Sequence, residues 1–149
     1  MIYWLLGFVL IVCLFFVALS IHSRNRPDLG MIEGRLRSCP NTPNCVCSED
    51  QGRSSFIEPL SIKDNPQRSW ERIKSVIRNM GGNIELEQDD YLRATFTTRI
   101  FRFMDDLELK MDEKNRTIHV RSASRVGQSD MGMNRKRVES LRAGFNQMP

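Results

Sequence analysis

The chain has 149 residues, with 22 Lys and Arg against 18 Asp and Glu, a net charge of +4 and a pI near 9.1. That length holds about one domain. The basic residues are not interleaved with aromatics, which argues against a nucleic-acid partner. The basic balance permits an acidic partner without requiring one.

The first element is the run IYWLLGFVLIVCLFFVALSI, twenty uncharged residues beginning at Ile2 and ending at Ile21. A bilayer core takes about 20 apolar residues in a helix, so this run is long enough to span. Tyr3 and Trp4 stand at one end, where amphipathic rings favour the membrane interface. A cleaved signal peptide is the competing reading, and Ala18 and Ser20 resemble the small residues of a cleavage site. The run is long for a signal peptide, and no basic residue precedes it. Cys13 is a poor lipid-attachment candidate, because Val12 is not small. The expectation is a retained single-pass anchor at 1–22.

Positions 23–55 carry polar, Pro and Gly residues with no period, and read as a linker lying over or beside the domain. Arg24, Arg26, Arg35 and Arg37 follow the span, and the positive-inside rule keeps such residues cytoplasmic. Cys39, Cys45 and Cys47, in SCPNTPNCVCS, point the other way. Two prolines bend this loop, so a Cys39–Cys45 disulfide is sterically feasible, and disulfides persist outside the cytoplasm. A metal site is the alternative. However, C-x5-C-x-C is not a common zinc spacing, and only His22 and His119 add imidazole. No cofactor is expected.

Positions 56–149 read as one α+β domain, in which a mostly antiparallel sheet of four to five strands packs with two helices. Phe56, Ile57, Leu60 and Ile62 suggest an edge strand interrupted at Pro59. Asn65 as N-cap and Pro66 at the first helical position open a helix. Trp70, Ile73, Ile77 and Met80 recur along it, and Gly81 and Gly82 end it. Ile84 and Leu86 then share a face, as do Leu92, Ala94, Phe96 and Ile100. A turn at Asp89, Asp90 and Tyr91 brings these faces together.

In the next hairpin, a four-residue turn at 112–115 sets Leu109 opposite Ile118 and Leu107 opposite Val120. The same register pairs Asp106 with Arg121 and Glu108 with His119 on the outer face. It places Asp105 opposite Ser122, and Phe103 opposite Ser124. Only Asp105 of the two neighbouring aspartates is then buried, and a buried carboxylate must be paired or hydrogen-bonded. Its expected partners are Ser122, Ser124, Arg125 and the arginines beyond the following loop. A final helix at about 133–146 has Val138, Leu141 and Phe145 as its stripe. Asn134 extends the stripe, and Ser129 or Asp130 caps the helix.

The chain resembles the domain of unknown function 1499 family in LRSCPNTPNCVCS, FRFMDDLEL and VRSASRVGQSDMGMNRKRVE, and the resemblance spans positions 35–145. The resemblance implies a small, often membrane-associated or exported domain of unknown role. The family's paired cysteines match Cys39 and Cys45, and its members usually carry serine where this chain has Cys47. That departure weakens a three-thiol metal site. Exported relatives imply an extracytoplasmic domain.

Three functions fit these residues. Asp105, Arg121, Ser122, Ser124, Arg125, Asn134 and Arg135 form a candidate site for an anionic small molecule or lipid headgroup, because guanidinium forks and a helix N-terminus favour anions. The same residues also serve as a purely structural polar network. The basic last helix suits an envelope interaction or assembly factor whose protein partner the sequence does not name. A hydrolase built on Ser122 or Ser124, His119 and Asp105 fits poorly, since His119 and Asp105 point to opposite faces. No G-x-S-x-G, HExxH or Walker motif occurs.

Overall fold

The computed structural model describes residues 2–147. Met1 of the expected 1–22 anchor, and Met148 and Pro149 of the expected 56–149 domain, lie outside the described residues.

Helix α1 spans Ile2–His22, is long and apolar enough to cross a membrane, and buries no residue. Two short strands follow, β1 (Met31–Ile32) and β2 (Arg35–Leu36), paired as a small hairpin. Strand β3 (Cys45–Cys47) and strand β4 (Leu60–Ser61) come next, then helix α2 (Pro66–Asn79). Strands β5 (Asn83–Glu87), β6 (Tyr91–Thr97), β7 (Met104–Asp112) and β8 (Thr117–Ser124) form an antiparallel meander, and helix α3 (Met133–Gln147) closes the fold.

The main sheet has six strands, in the order β3-β8-β7-β6-β5, with β4 also on β8. It is antiparallel α+β as expected, with one strand more than the upper estimate. The extra strand comes from the stretch read as a linker. β3 lies along Arg121, Ser122 and Ala123, and β4 lies along Thr117 and Ile118, so the two share one edge of β8 end to end.

Helix α2 forms where its signals put it. The Asn65 side chain accepts from the Arg68 N–H at 3.1 Å, Pro66 opens the first turn, and Gly81 turns away with φ +82°. Glycine is the residue that adopts this conformation without strain. Trp70, Ile73, Val76 and Ile77 point into the core beside Leu92, Leu107, Leu109, Ile118 and Val120. Each such fully buried side chain contributes roughly 1.5–3 kcal/mol. Helix α3 adds Val138, Leu141 and Phe145. The two helices approach closely at Gly144, where a Cβ would stand 2.8 Å from Val76 Cγ1.

Several register expectations are corrected. The β7–β8 turn is 113–116, so Leu109 faces Val120, Leu107 faces Ser122 and Glu108 faces Arg121. Asp105 faces Ser124 and Asp106 faces Ala123. The shift is two residues, which preserves every side chain's face. Between β5 and β6 a bulge separates the Ile84–Ala94 pair from the Leu86–Arg93 pair, and Leu86 leaves the core, 36% exposed. β6 ends at Thr97, and Ile100 stands in the following turn rather than on the core face.

The largest correction concerns the outer face. Segment 23–39 lies across it, and β2 packs on β7 and β8. A second small core of Leu36, Cys39, Cys45, Cys47, Tyr91 and Ala123 forms there. Asp106 is therefore as buried as Asp105, each 2% exposed, and Glu108 is fully buried.

Candidate functional site

The polar end of the helix-facing side is a closed knot. Ser122 donates to Asn134 Oδ1 at 2.6 Å. Asn134 Nδ2 donates to the Asn44 carbonyl at 2.9 Å and to Ser124 Oγ at 3.0 Å. Arg137 donates to Asp105 Oδ2 at 2.5 Å, to Ser122 Oγ at 3.1 Å and to Asn134 Oδ1. Its guanidinium also stacks 4.9 Å from the Phe96 ring centroid. The knot forms because α3 carries Asn134 and Arg137 on adjacent turns over the end of β8. Asp105, Ser122, Ser124 and Asn134 thus meet, and the cation among them is Arg137 rather than Arg125.

Arg125 and Arg121 stand on the opposite face. Arg125 Nε and Nη2 each donate to Asp106 at 2.7 Å, and Nη1 donates to the Ser23 carbonyl at 3.3 Å. The bond to Asp106 pushes the Arg125 pKa up, against the effect of its own burial. Arg121 donates to Glu108 at 2.8 Å. Glu108 also accepts from the Tyr91 hydroxyl at 2.7 Å and from the Gly30 N–H at 2.9 Å. Burial first, and then the Glu108 carboxylate, push the Tyr91 phenol up. These pairs fasten the N-terminal segment to the sheet.

His119 also lies on this face, away from Asp105 and Ser122. Its Nδ1 is 3.3 Å from Ser48 Oγ and its Nε2 is 3.9 Å from Asp112. Burial lowers its pKa.

A disulfide joins Cys39 and Cys45. Asp50 braces this loop, accepting from the Cys39 N–H at 2.9 Å and from Ser55 Oγ at 2.8 Å. Burial pushes the Asp50 carboxyl up, but the Cys39 N–H and the Ser55 and Ser38 hydroxyls outweigh it and hold the pKa below its ordinary value. Cys47 is buried beside the loop with a free thiol, pushed up to about 11 by burial.

Between the disulfide loop and the start of α3 lies a cleft of about 420 Å³, lined among others by Thr42, Pro43, Arg53, Ser54, Asp130 and Arg135. Arg135 donates to the Ser54 and Phe56 carbonyls at 3.2 and 2.9 Å, and Arg53 donates to Asn41 Oδ1 at 2.7 Å. Asp130 caps α3, accepting from the Asn134 N–H at 2.6 Å and the Gly132 N–H at 3.0 Å. The helix N-terminus is therefore already answered by the protein's own carboxylate. A second hollow, near β2, holds Arg35, Arg37, Glu49 and Asp50. Its arginines are matched, Arg35 to Glu49 at 3.4 Å, Arg37 to Asp28 at 2.8 Å, and Arg53, which borders both hollows, to Asp50 at 3.8 Å.

Of the seven residues singled out in the sequence, only Arg135 lines the cleft. Arg53 was not singled out. Its signal was proximity in sequence to the cysteine loop, which the aperiodic 23–55 composition disguised.

No curated protein matches the chain. The family described as Protein of unknown function (DUF1499) matches residues 35–145, from β2 into α3 and including the disulfide loop, and the chain belongs to that family.

Proposed function

We propose that the protein is a non-enzymatic binding module, tethered by α1 to a membrane and facing the extracytoplasmic side, that takes an anionic group in the cleft beside the disulfide loop. A phosphate or carboxylate, on a small molecule or a lipid headgroup, is the chemistry two guanidiniums recognise. The observation that carries this reading is that Arg53 and Arg135, both exposed, line one cleft with the hydroxyl-bearing Thr42, Ser54 and Ser55. Arg135 Nε and Nη1 have no protein partner among the described residues, and Arg53 stands 3.8 Å from the Asp50 carboxylate, whereas Arg121, Arg125 and Arg137 are matched to carboxylates at 2.8, 2.7 and 2.5 Å.

Two further facts support the placement. The Cys39–Cys45 bond suits an oxidising compartment. The cleft borders the end of β8 at Ala123, and the residue after β8, Arg125, holds the carbonyl of Ser23 at the exit of α1. Cleft and anchor therefore share one end of the sheet.

Titration of the full chain in zwitterionic micelles with glycerol phosphate, followed by calorimetry, tests the reading. Binding is expected, and Arg53→Gln weakens it about tenfold, because a hydrogen bond to a charged group contributes about 1.5 kcal/mol. Absence of binding, or equal affinity in Arg53→Gln and the wild type, would count against the cleft.

A further inference from the structure

The β6–β7 connection, residues 98–103, reads TRIFRF. It closes on itself at the base, where the Thr98 N–H donates to the Phe103 carbonyl and the Phe103 N–H donates to Thr98 Oγ, both at 2.9 Å. Arg102 takes a left-handed backbone, φ +58°. The tip projects Ile100, 82% exposed, and Phe101, 42% exposed, with exposed Arg99 and Arg102 beside them. Two adjacent apolar residues projecting between arginines are suited to a contact with lipid or protein.

The tip already has one partner, and it is the anchor helix. Phe101 stacks on Phe16 of α1 with centroids 4.2 Å apart, and Phe103 lies 6.4 Å from Phe16 and 5.5 Å from Phe101. Ser20 Oγ donates to the Arg102 carbonyl at 3.4 Å, and the Met104 N–H donates to Ser23 Oγ at 3.2 Å. The loop therefore runs alongside the last turns of α1 instead of merely following its end.

Depth follows from helix geometry. At 1.5 Å per residue, α1 is about 31 Å long, close to the roughly 30 Å of a bilayer core. Phe16 lies six residues before the helix end at His22, about 9 Å along the axis. If α1 crosses the membrane, as the proposed function holds, a ring stacked on Phe16 lies below the membrane surface.

We infer that residues 98–103 are a membrane-insertion loop: Ile100 and Phe101 enter the upper acyl region beside α1, while Arg99 and Arg102 reach back to lipid phosphates. Arginine does this naturally, laying its stem along apolar surface and its head in the polar layer. Interfacial elements enter about 5–10 Å, the depth the Phe16 contact sets. The mutual Thr98–Phe103 bonds satisfy the backbone groups at the base of the loop, and the backbone of the tip stays at headgroup level while its side chains enter. The occupant of this patch is thus lipid, and the sheet is held with its β6–β7 end against the membrane.

Spin labelling of the full chain in phosphatidylglycerol–phosphatidylcholine vesicles tests this. Cysteine is introduced by Ile100→Cys, by Leu10→Cys in the anchor, or by Lys114→Cys at the far hairpin, each in a Cys13→Ser background. Collisions with oxygen and with a water-soluble nickel chelate are then compared. The expected result is that oxygen collisions exceed nickel collisions at positions 10 and 100, with the order reversed at 114. Nickel excess at 100 with oxygen excess at 10 overturns the loop inference and leaves the anchor standing. Nickel excess at both positions overturns the anchor and the loop together. Low collision with both reagents at 100 means the tip is covered by protein, and it also overturns the inference.

Discussion

Asp105 and Asp106 are sequence neighbours on opposite faces of β7, and each is buried against its own arginine, Arg137 and Arg125 respectively. Removing one partner of a buried pair leaves the other charge uncompensated and costs about 3–5 kcal/mol. Asp105→Ala and Asp106→Ala are therefore both expected to lower stability by about 3 kcal/mol or more, measured by denaturant unfolding of the full chain in micelles. An Asp106→Ala variant as stable as the wild type would show that the N-terminal segment does not cover this face. Asp50 gives a pH prediction. Its folded pKa is depressed, so it adds stability above the ordinary value of 3.8 and loses that contribution as pH falls through the lower folded value. Asp50→Asn should thus be less stable than the wild type at neutral pH. The gap should close in acid, and a constant gap across the titration would contradict the bonding to Cys39 and Ser55.

At the level of elements, α2 was fully legible, because its cap, proline, apolar spacing and glycine stop are all local. The β7–β8 hairpin was legible in its faces and not in its register. Turns at 112–115 and 113–116 give the same alternation, and both pair opposite charges across the outer face. The bulge in β5 that turns Leu86 outward leaves no mark in an alternating sequence. In the polar cluster, Asp105, Ser122, Ser124 and Asn134 were legible because strand and helix periods align them. Arg125 was misassigned because it follows β8, where strand alternation no longer fixes a face. The cleft was invisible, since it depends on β3 leaving an aperiodic stretch to join β8. Two element-scale outcomes follow. Cys39→Ser with Cys45→Ser should cost about 2 kcal/mol by freeing a short loop in the unfolded chain, with the loss seen in the thermal midpoint and matched by reduction of the wild type. Gly144→Leu should cost about 1–3 kcal/mol by forcing α3 away from Val76. A neutral effect would mean that the two helices have room to part.

On the scale of the whole molecule, three layers are stacked: the two helices, the sheet, and the N-terminal segment with its disulfide loop. The polar residues of the outer face are buried because residues distant in sequence meet there, such as Gly30 with Glu108 at 2.9 Å. Alternation alone reads those positions as solvated. This layering joins the end of α1, the 98–103 loop and the cleft into one end of the molecule. The proposed function adds to that arrangement a domain pressed against headgroups on the oxidising side of a membrane. Labelling with a membrane-impermeant maleimide in intact cells decides it, using Lys114→Cys, an exposed position far from the anchor, in a Cys13→Ser background. The expectation is labelling at 114 before lysis, with Cys39 and Cys45 unreactive after denaturation until a reductant is added. Labelling only after lysis, with Cys39 and Cys45 free to alkylate on denaturation without reductant, would place the domain in the cytoplasm and contradict the reading.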